Sequence, residues 1–256
     1  MGGVVVLILY LLLGGNPSEV TQTFQANEPG PSTEVSEQLS DKDKEMGDFV
    51  SVVLADIEDV WRAQFRKLGK EYREPRLVLF ADQADSACGY SSAAVGPFYC
   101  PEDENVYLDL SFFEDMQREL DAPGDFALAY VIAHEVGHHV QNLLGVNDQV
   151  MSLQGRLSER ESNQLMVRME LQADFLAGLW AHYAQLETDF LDSADIEEGI
   201  NAAGAVGDDR IMRQTQGYVV PDAFTHGTSE QRVRWFKKGL NTGDIRQGDT
   251  FDAARL

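Results

Sequence analysis

Basic charge is scarce in this sequence. Against 43 Asp and Glu there are only 20 Lys and Arg, a formal charge of −23 at pH 7, and no Lys/Arg-rich stretch could lie along a phosphate backbone. Nucleic-acid binding is thereby disfavoured. Apolar residues at 43% and aromatics at 9% suffice for a packed globule, so the acidity reads as a solvated surface. Cysteine is scarcer still, with Cys88 and Cys100 alone. A chain of 256 residues buries a sizeable core in one or two domains, which excludes a scaffold held together only by disulfides. No unbroken apolar run of ten residues occurs apart from residues 4–13, and neither internal repeats nor low-complexity tracts occur outside residues 16–45.

The run at 4–13 is flanked by Gly2-Gly3 and Gly14-Gly15, with no Lys or Arg before it. At about 1.5 Å per residue, Gly2 to Gly15 covers about 21 Å of a hydrocarbon core about 30 Å thick. A signal peptide or signal anchor normally carries a positive n-region. The expectation is a single N-terminal membrane anchor over residues 1–15 whose first residues are absent from this chain, with the rest exported. A signal-peptide core or a buried strand are the alternatives. Residues 16–45 read as an acidic, disordered linker, since eight carboxylates between Asn16 and Asp48 are offset only by Lys42 and Lys44, and Pro17, Pro29 and Pro31 interrupt the stretch. The folded domain is expected over 46–256.

Cys88 and Cys100 bracket Gly89, Gly96 and Pro97, so a turn can bring the thiols together, and an exported compartment would oxidise them. A metal pair or free buried thiols are the other options. Residues 46–69 place Phe49, Val53, Ile57, Val60, Trp61, Phe65 and Leu68 at helical spacing, with Gly69 as a stop. Strand-like pieces follow at 76–81, 95–99 and 105–110, and after Asp109 the pattern is helical almost to the end. The expected class is α+β, mainly helical, with a small sheet ahead of the helix that carries the strongest motif.

That motif is HExxH, formed by His134, Glu135 and His138 within AYVIAHEVGHHVQNLLG. At about 100° per residue the two histidines lie about 40° apart on one helix face, one turn separated, where both imidazoles can reach one ion. Glu135 falls beside them, placed to serve as a general base without being a ligand. Two imidazoles and a carboxylate in an apolar helix would be costly if they bound nothing. Asp125 and Gly145 fit as start and stop signals, and Gly137, unfavourable inside a helix, suggests close approach by another backbone. His139 points about 140° away from His134 and reads as a packed, hydrogen-bonded histidine.

A catalytic zinc site needs a third protein ligand. In RMELQADFLAGLW, Glu170 and Asp174 are four apart on one face, so Glu170 can bind the metal while Asp174 accepts the free ring N–H of a ligating histidine. His182 and His226 compete for the third position, but His182 lies two turns beyond Asp174, at least about 12 Å along the axis.

HEVGHHVQNLLG with ELQAD, GDD, VVPDAFTHGTSEQR and WF resembles the neutral zinc metallopeptidase family of bacteria, the YpfJ-type proteins. The similarity extends over nearly the whole chain, including CGYSSAAVGPFYCPEDENVYLDLSFF. It implies a zincin-like fold, a membrane-anchored extracytoplasmic domain, Zn2+ held by His134, His138 and Glu170, and Glu135 as catalytic base. It also implies cysteines at two positions where this chain has Phe175 and Gly248. A second disulfide tying the C-terminus to the ligand helix is therefore expected to be lost, Phe175 to fill the space by packing, and the C-terminal tail to gain mobility.

The chemistry expected is hydrolysis of a peptide amide in a peptide or protein substrate, with an extended substrate lying against the edge of the strand at 105–110 by analogy with zincins, a plain core strand being the alternative. His226 is assigned as a transition-state donor on a short loop before a helix capped by Thr228 and Gln231. Arg232 is the alternative donor, or a partner of Asp222. An inactive, zinc-stabilised membrane-tethered scaffold would not need Glu135, and a zinc amidase acting on cell-wall peptides would need the same chemistry.

Overall fold

Apolar side chains on one face turn residues 41–67 into a helix that must be covered. In the computed structural model, which describes residues 41–80, 83–92, 96–109, 112, 116, 124–188 and 191–256, this is α1 (Asp41–Lys67). Val50, Val53, Ile57 and Trp61 on α1 are wholly excluded from solvent. The helix begins within the stretch expected as linker. The expected anchor and the remainder of the linker lie outside the described residues, among which no helix is long and apolar enough to cross a membrane.

Among the described residues five short strands follow: β1 (Arg76–Phe80), β2 (Gln83–Ser86), β3 (Gly89–Ser92), β4 (Phe98–Cys100) and β5 (Asn105–Asp109). β5 runs parallel to β1 in the register Arg76↔Asn105 and antiparallel to β4 in the register Cys100↔Asn105, giving the order β1-β5-β4. Over residues 105–107 this corrects the expected substrate edge in favour of a core strand. β5 is the central strand, paired on both sides over Asn105–Tyr107, and has no free row of N–H and C=O groups there. β2 and β3 form a separate hairpin that the sequence does not announce, because QADS and GYSS lack apolar alternation. The expected Cys88–Cys100 disulfide is present, with the Cα atoms 5.8 Å apart, and it ties the hairpin turn to the end of β4. Beneath it Phe80, Ala84, Cys100 and Tyr107 form a small cluster apart from the main core.

The helical part comprises α2 (Asp125–Leu144), α3 (Val146–Gln154), α4 (Glu159–Thr188), α5 (Ser193–Ala205), α6 (Asp208–Gln216) and α7 (Ser229–Thr242), with 3-10 turns at Pro221–Ala223 and Ile245–Gln247. From Phe126 to Gln141 every residue of α2 except His138 is buried, as an all-round apolar helix requires. Gly145, at φ 80°, closes it by donating its N–H to the Asn142 and Gln141 carbonyls.

Two close approaches set α4 in place. A Cβ at Gly137 of α2 would stand 3.0 Å from the Ala173 carbonyl oxygen, which is the backbone neighbour expected for that glycine. On the other side of α4, Cβ atoms at Gly178 and Gly239 would each lie 2.0 Å from a carbonyl oxygen of the opposite helix, so α4 and α7 touch backbone to backbone.

The C-terminal segment is not loosened as expected. Arg168 of α4 donates to the carbonyls of Thr250, Phe251 (3.0 Å) and Ala253 (3.3 Å), and the Thr250 hydroxyl returns a bond of 2.5 Å to the Arg168 carbonyl. Phe175 is fully buried and packs edge-on to Trp235 at 6.3 Å, filling space as expected. Backbone capture by one arginine thus does the work expected of a lost covalent tie.

Candidate metal centre

α2 and α4 bring the sequence-predicted ligands together. One donor atom each of His134, His138 and Glu170 lie within 4.8 Å of one another, and among the described residues they are the group that could hold a metal ion. His134 Nε2 is 3.2 Å from one Glu170 oxygen and His138 Nε2 is 3.5 Å from the other. The same turn spacing that put both histidines on one face of α2 aims both Nε2 atoms at one carboxylate on α4.

The remaining ring nitrogens are occupied from behind. His134 Nδ1 is 3.0 Å from Asp174 Oδ1, and His138 Nδ1 is 2.9 Å from the Gln141 side-chain oxygen. Each Nδ1 therefore donates a hydrogen, which leaves each Nε2 as the atom that would turn its lone pair to an ion, the arrangement that zinc-binding histidines adopt. The donor set and its backing fit a zinc ion. Glu135 is buried next to the histidines, and among the described residues its carboxylate has no hydrogen-bond or ion-pair partner.

Asp174 serves more than His134. Arg232 grips it with Nε at 2.8 Å and Nη2 at 2.9 Å, Tyr130 donates its hydroxyl at 2.5 Å, and all of these groups are buried. Arg232 is thus the partner of Asp174, which corrects the expected pairing with Asp222; that carboxylate meets Arg160 at 3.1 Å. Burial alone would raise the Asp174 pKa, but Arg232 and His134 outweigh it and hold it at about 2. Burial would lower that of His134, yet the Asp174 and Glu170 carboxylates raise it to about 9 when no ion is bound. Glu170, although buried, is held well below the usual carboxylate range by His138, His134 and His226.

His226 reaches the centre from the loop before α7. Asp208 at the start of α6 accepts the backbone N–H groups of Thr225 (2.8 Å), His226 (2.7 Å) and Gly227 (2.9 Å), and its other oxygen lies 3.2 Å from His226 Nδ1. Against the effect of burial, Asp208 and then Glu170 raise the His226 pKa, favouring the charged, donating imidazolium. The expected capping box forms, with Gln231 N–H on the Thr228 hydroxyl and Thr228 N–H on the Gln231 side chain. His226 does not belong to the metal-donor group, nor does His182, whose Nδ1 lies 2.7 Å from the Leu240 carbonyl oxygen. His139 is a strut as expected: it donates from Nε2 to the Arg73 carbonyl at 2.6 Å and meets the Tyr99 hydroxyl at 3.0 Å.

Gln141, Tyr130 and Asp208 of this centre are not singled out by the sequence reading, which names Arg232 without Asp174. Gln141 had a signal, since it lies three residues after His138 and shares its helix face. Tyr130 had the same kind of signal, one turn before His134. Asp208 and Arg232 had none, because their partners are distant in sequence.

The chain's similarities agree with the geometry. A sequence profile described as "Putative neutral zinc metallopeptidase" matches residues 1–251. YpfJ of Escherichia coli strain K12, described as an uncharacterized protein, is 48% identical over 250 residues, covering 98% of this chain and 86% of the relative. An uncharacterized protein of Mycobacterium bovis is 44% identical over 206 residues, covering 76% of this chain and 68% of the relative. No solved structure matches significantly.

Proposed function

We propose, because the chain belongs to the neutral zinc metallopeptidase family, that it is a zinc-dependent peptidase hydrolysing peptide bonds outside the cytoplasm. The observation that carries this reading is the meeting of His134, His138 and Glu170 beside a buried carboxylate, Glu135, that none of the described residues engages. A zinc ion held by the three ligands supplies Lewis acidity, which makes water nucleophilic near neutral pH and polarises a carbonyl. Glu135 takes the proton from the attacking water and passes it to the leaving amine. His226, backed by Asp208, donates to the oxyanion that develops on the substrate carbonyl. The disulfide supports an exported location, and the apolar run at 4–13 supports attachment to the bacterial membrane by the N-terminus.

Metal analysis and a peptide-library digest with the full chain test the assignment. Glu135→Gln is expected to retain zinc and lose turnover, and His226→Ala to retain zinc with kcat lowered at least about tenfold and little change in KM. Wild-type hydrolysis by the Glu135 variant would place the base elsewhere. Zinc loss from the His226 variant would make that residue a ligand.

A further inference from the structure

The group behind His138 is an amide, which can face either way, and its orientation decides which ring nitrogen carries the proton. Gln141 is fully buried, and its amide nitrogen donates to the Met169 carbonyl at 2.8 Å and to the Gln172 side-chain oxygen at 3.0 Å. A backbone carbonyl only accepts, so the nitrogen must face Met169 and the oxygen must face His138 Nδ1, 2.9 Å away. Gln172 is oriented by the same logic. Its nitrogen donates to the Gly248 carbonyl at 2.9 Å, which leaves its oxygen to accept from Gln141.

Gly248 is held where its carbonyl can do this. A Cβ there would lie 2.5 Å from ring carbons of Phe175, so only glycine lets the chain come this close to α4. Just downstream, Thr250 and Arg168 pin the segment with reciprocal bonds. Every bond from Gly248 to His138 therefore has one direction, fixed at its ends by two backbone carbonyls, Met169 within α4 and Gly248 in the C-terminal segment.

We propose that Gln141 and Gln172 are positioning residues that hold His138 in its Nδ1–H tautomer, with the C-terminal segment at Gly248 as the anchored end of the relay. The proposal rests on the reading of His138 as a zinc ligand, since the Nδ1 hydrogen is what reserves the Nε2 lone pair for the ion. Asp174 orients His134 through a charge, whereas Gln141 orients His138 through direction alone.

Zinc affinity of the full-length chain, measured by competition with a chelator, tests this together with imidazole 15N spectra of the metal-free protein, to which five histidines contribute. Wild-type His138 is expected as the Nδ1–H tautomer. Gln141→Leu is expected to weaken zinc binding by about 10- to 100-fold and to give mixed tautomers at His138. Gln172→Leu, at a half-buried position, should act in the same sense to a smaller extent, because Met169 still orients Gln141; it carries the test if the first variant does not fold. Affinity within about twofold of wild type with an unchanged His138 tautomer in the folded variants overturns the proposal. His138→Ala separates the two claims: undiminished zinc binding there defeats the ligand reading, while loss there without loss in the glutamine variants defeats the relay alone.

Discussion

Asp174 has two oxygens and four hydrogen-bonding nitrogens and hydroxyls around them, from Arg232, Tyr130 and His134. Its removal is therefore two experiments at once. The imidazole loses its orienting acceptor, and the buried Arg232 guanidinium loses its counter-charge. Truncating one partner of a buried ion pair costs about 3–5 kcal/mol because the other charge stays behind. Asp174→Ala is accordingly expected to lower unfolding stability by about that much in a urea titration, while Asp174→Asn, which keeps an acceptor for His134, should lose less. A truncated variant as stable as wild type would show that Arg232 finds another partner. The meeting of the candidate donors was legible because helix periodicity is a local rule: HExxH and ExxxD each predict a shared face from spacing alone. The partner of Arg232, left open between a donor role and Asp222, was not legible because the choice among carboxylates is made by tertiary packing, and Asp174 is 58 residues away.

At the scale of elements, the expected helix over 46–69 and the start and stop of α2 agree with the structure because long amphipathic or apolar segments overdetermine their state. The small sheet was less legible. Whether residues 105–110 sit at an edge or in the centre depends on which strands pair, and nothing in NVYLDL states its neighbours. The β2–β3 hairpin is polar in sequence, and a disulfide from its turn ties it to β4. The α4–α7 contact has a sharper sequence requirement than either. With its Cβ 2.0 Å from the Phe175 carbonyl oxygen, Gly239→Ala must push two helices apart. Overpacking of this kind costs about 1–3 kcal/mol and occasionally more, so the variant should unfold at distinctly lower urea than wild type. An unchanged midpoint would mean that α7 can shift along α4 without loss.

Across the whole molecule the stabilising agents are unevenly distributed. The helices share one continuous core, whereas the strands near Cys88 and Cys100 rest on a small separate cluster. Closing a short loop by a disulfide contributes about 2–4 kcal/mol, mainly by restricting the unfolded chain. Reduction is therefore expected to release hydrogen-exchange protection in the hairpin and β4 while the far-ultraviolet helical signal and zinc content persist. Thiol labelling of freshly isolated protein without reductant should modify neither cysteine. Two reactive thiols, or loss of helix on reduction, would contradict this division.

The contact between Gly137 and Ala173 also bears on how tolerant the site is to change. His134 and His138 belong to one helix and Glu170 to another, so the separation of imidazoles from carboxylate is dictated by how near the two axes can come. Backbone against backbone leaves no flexible side chain to absorb an error, and the contact acts as a gauge block for the donor triangle. The spacing of the three candidate donors is thus specified partly by a residue that has no side chain at all.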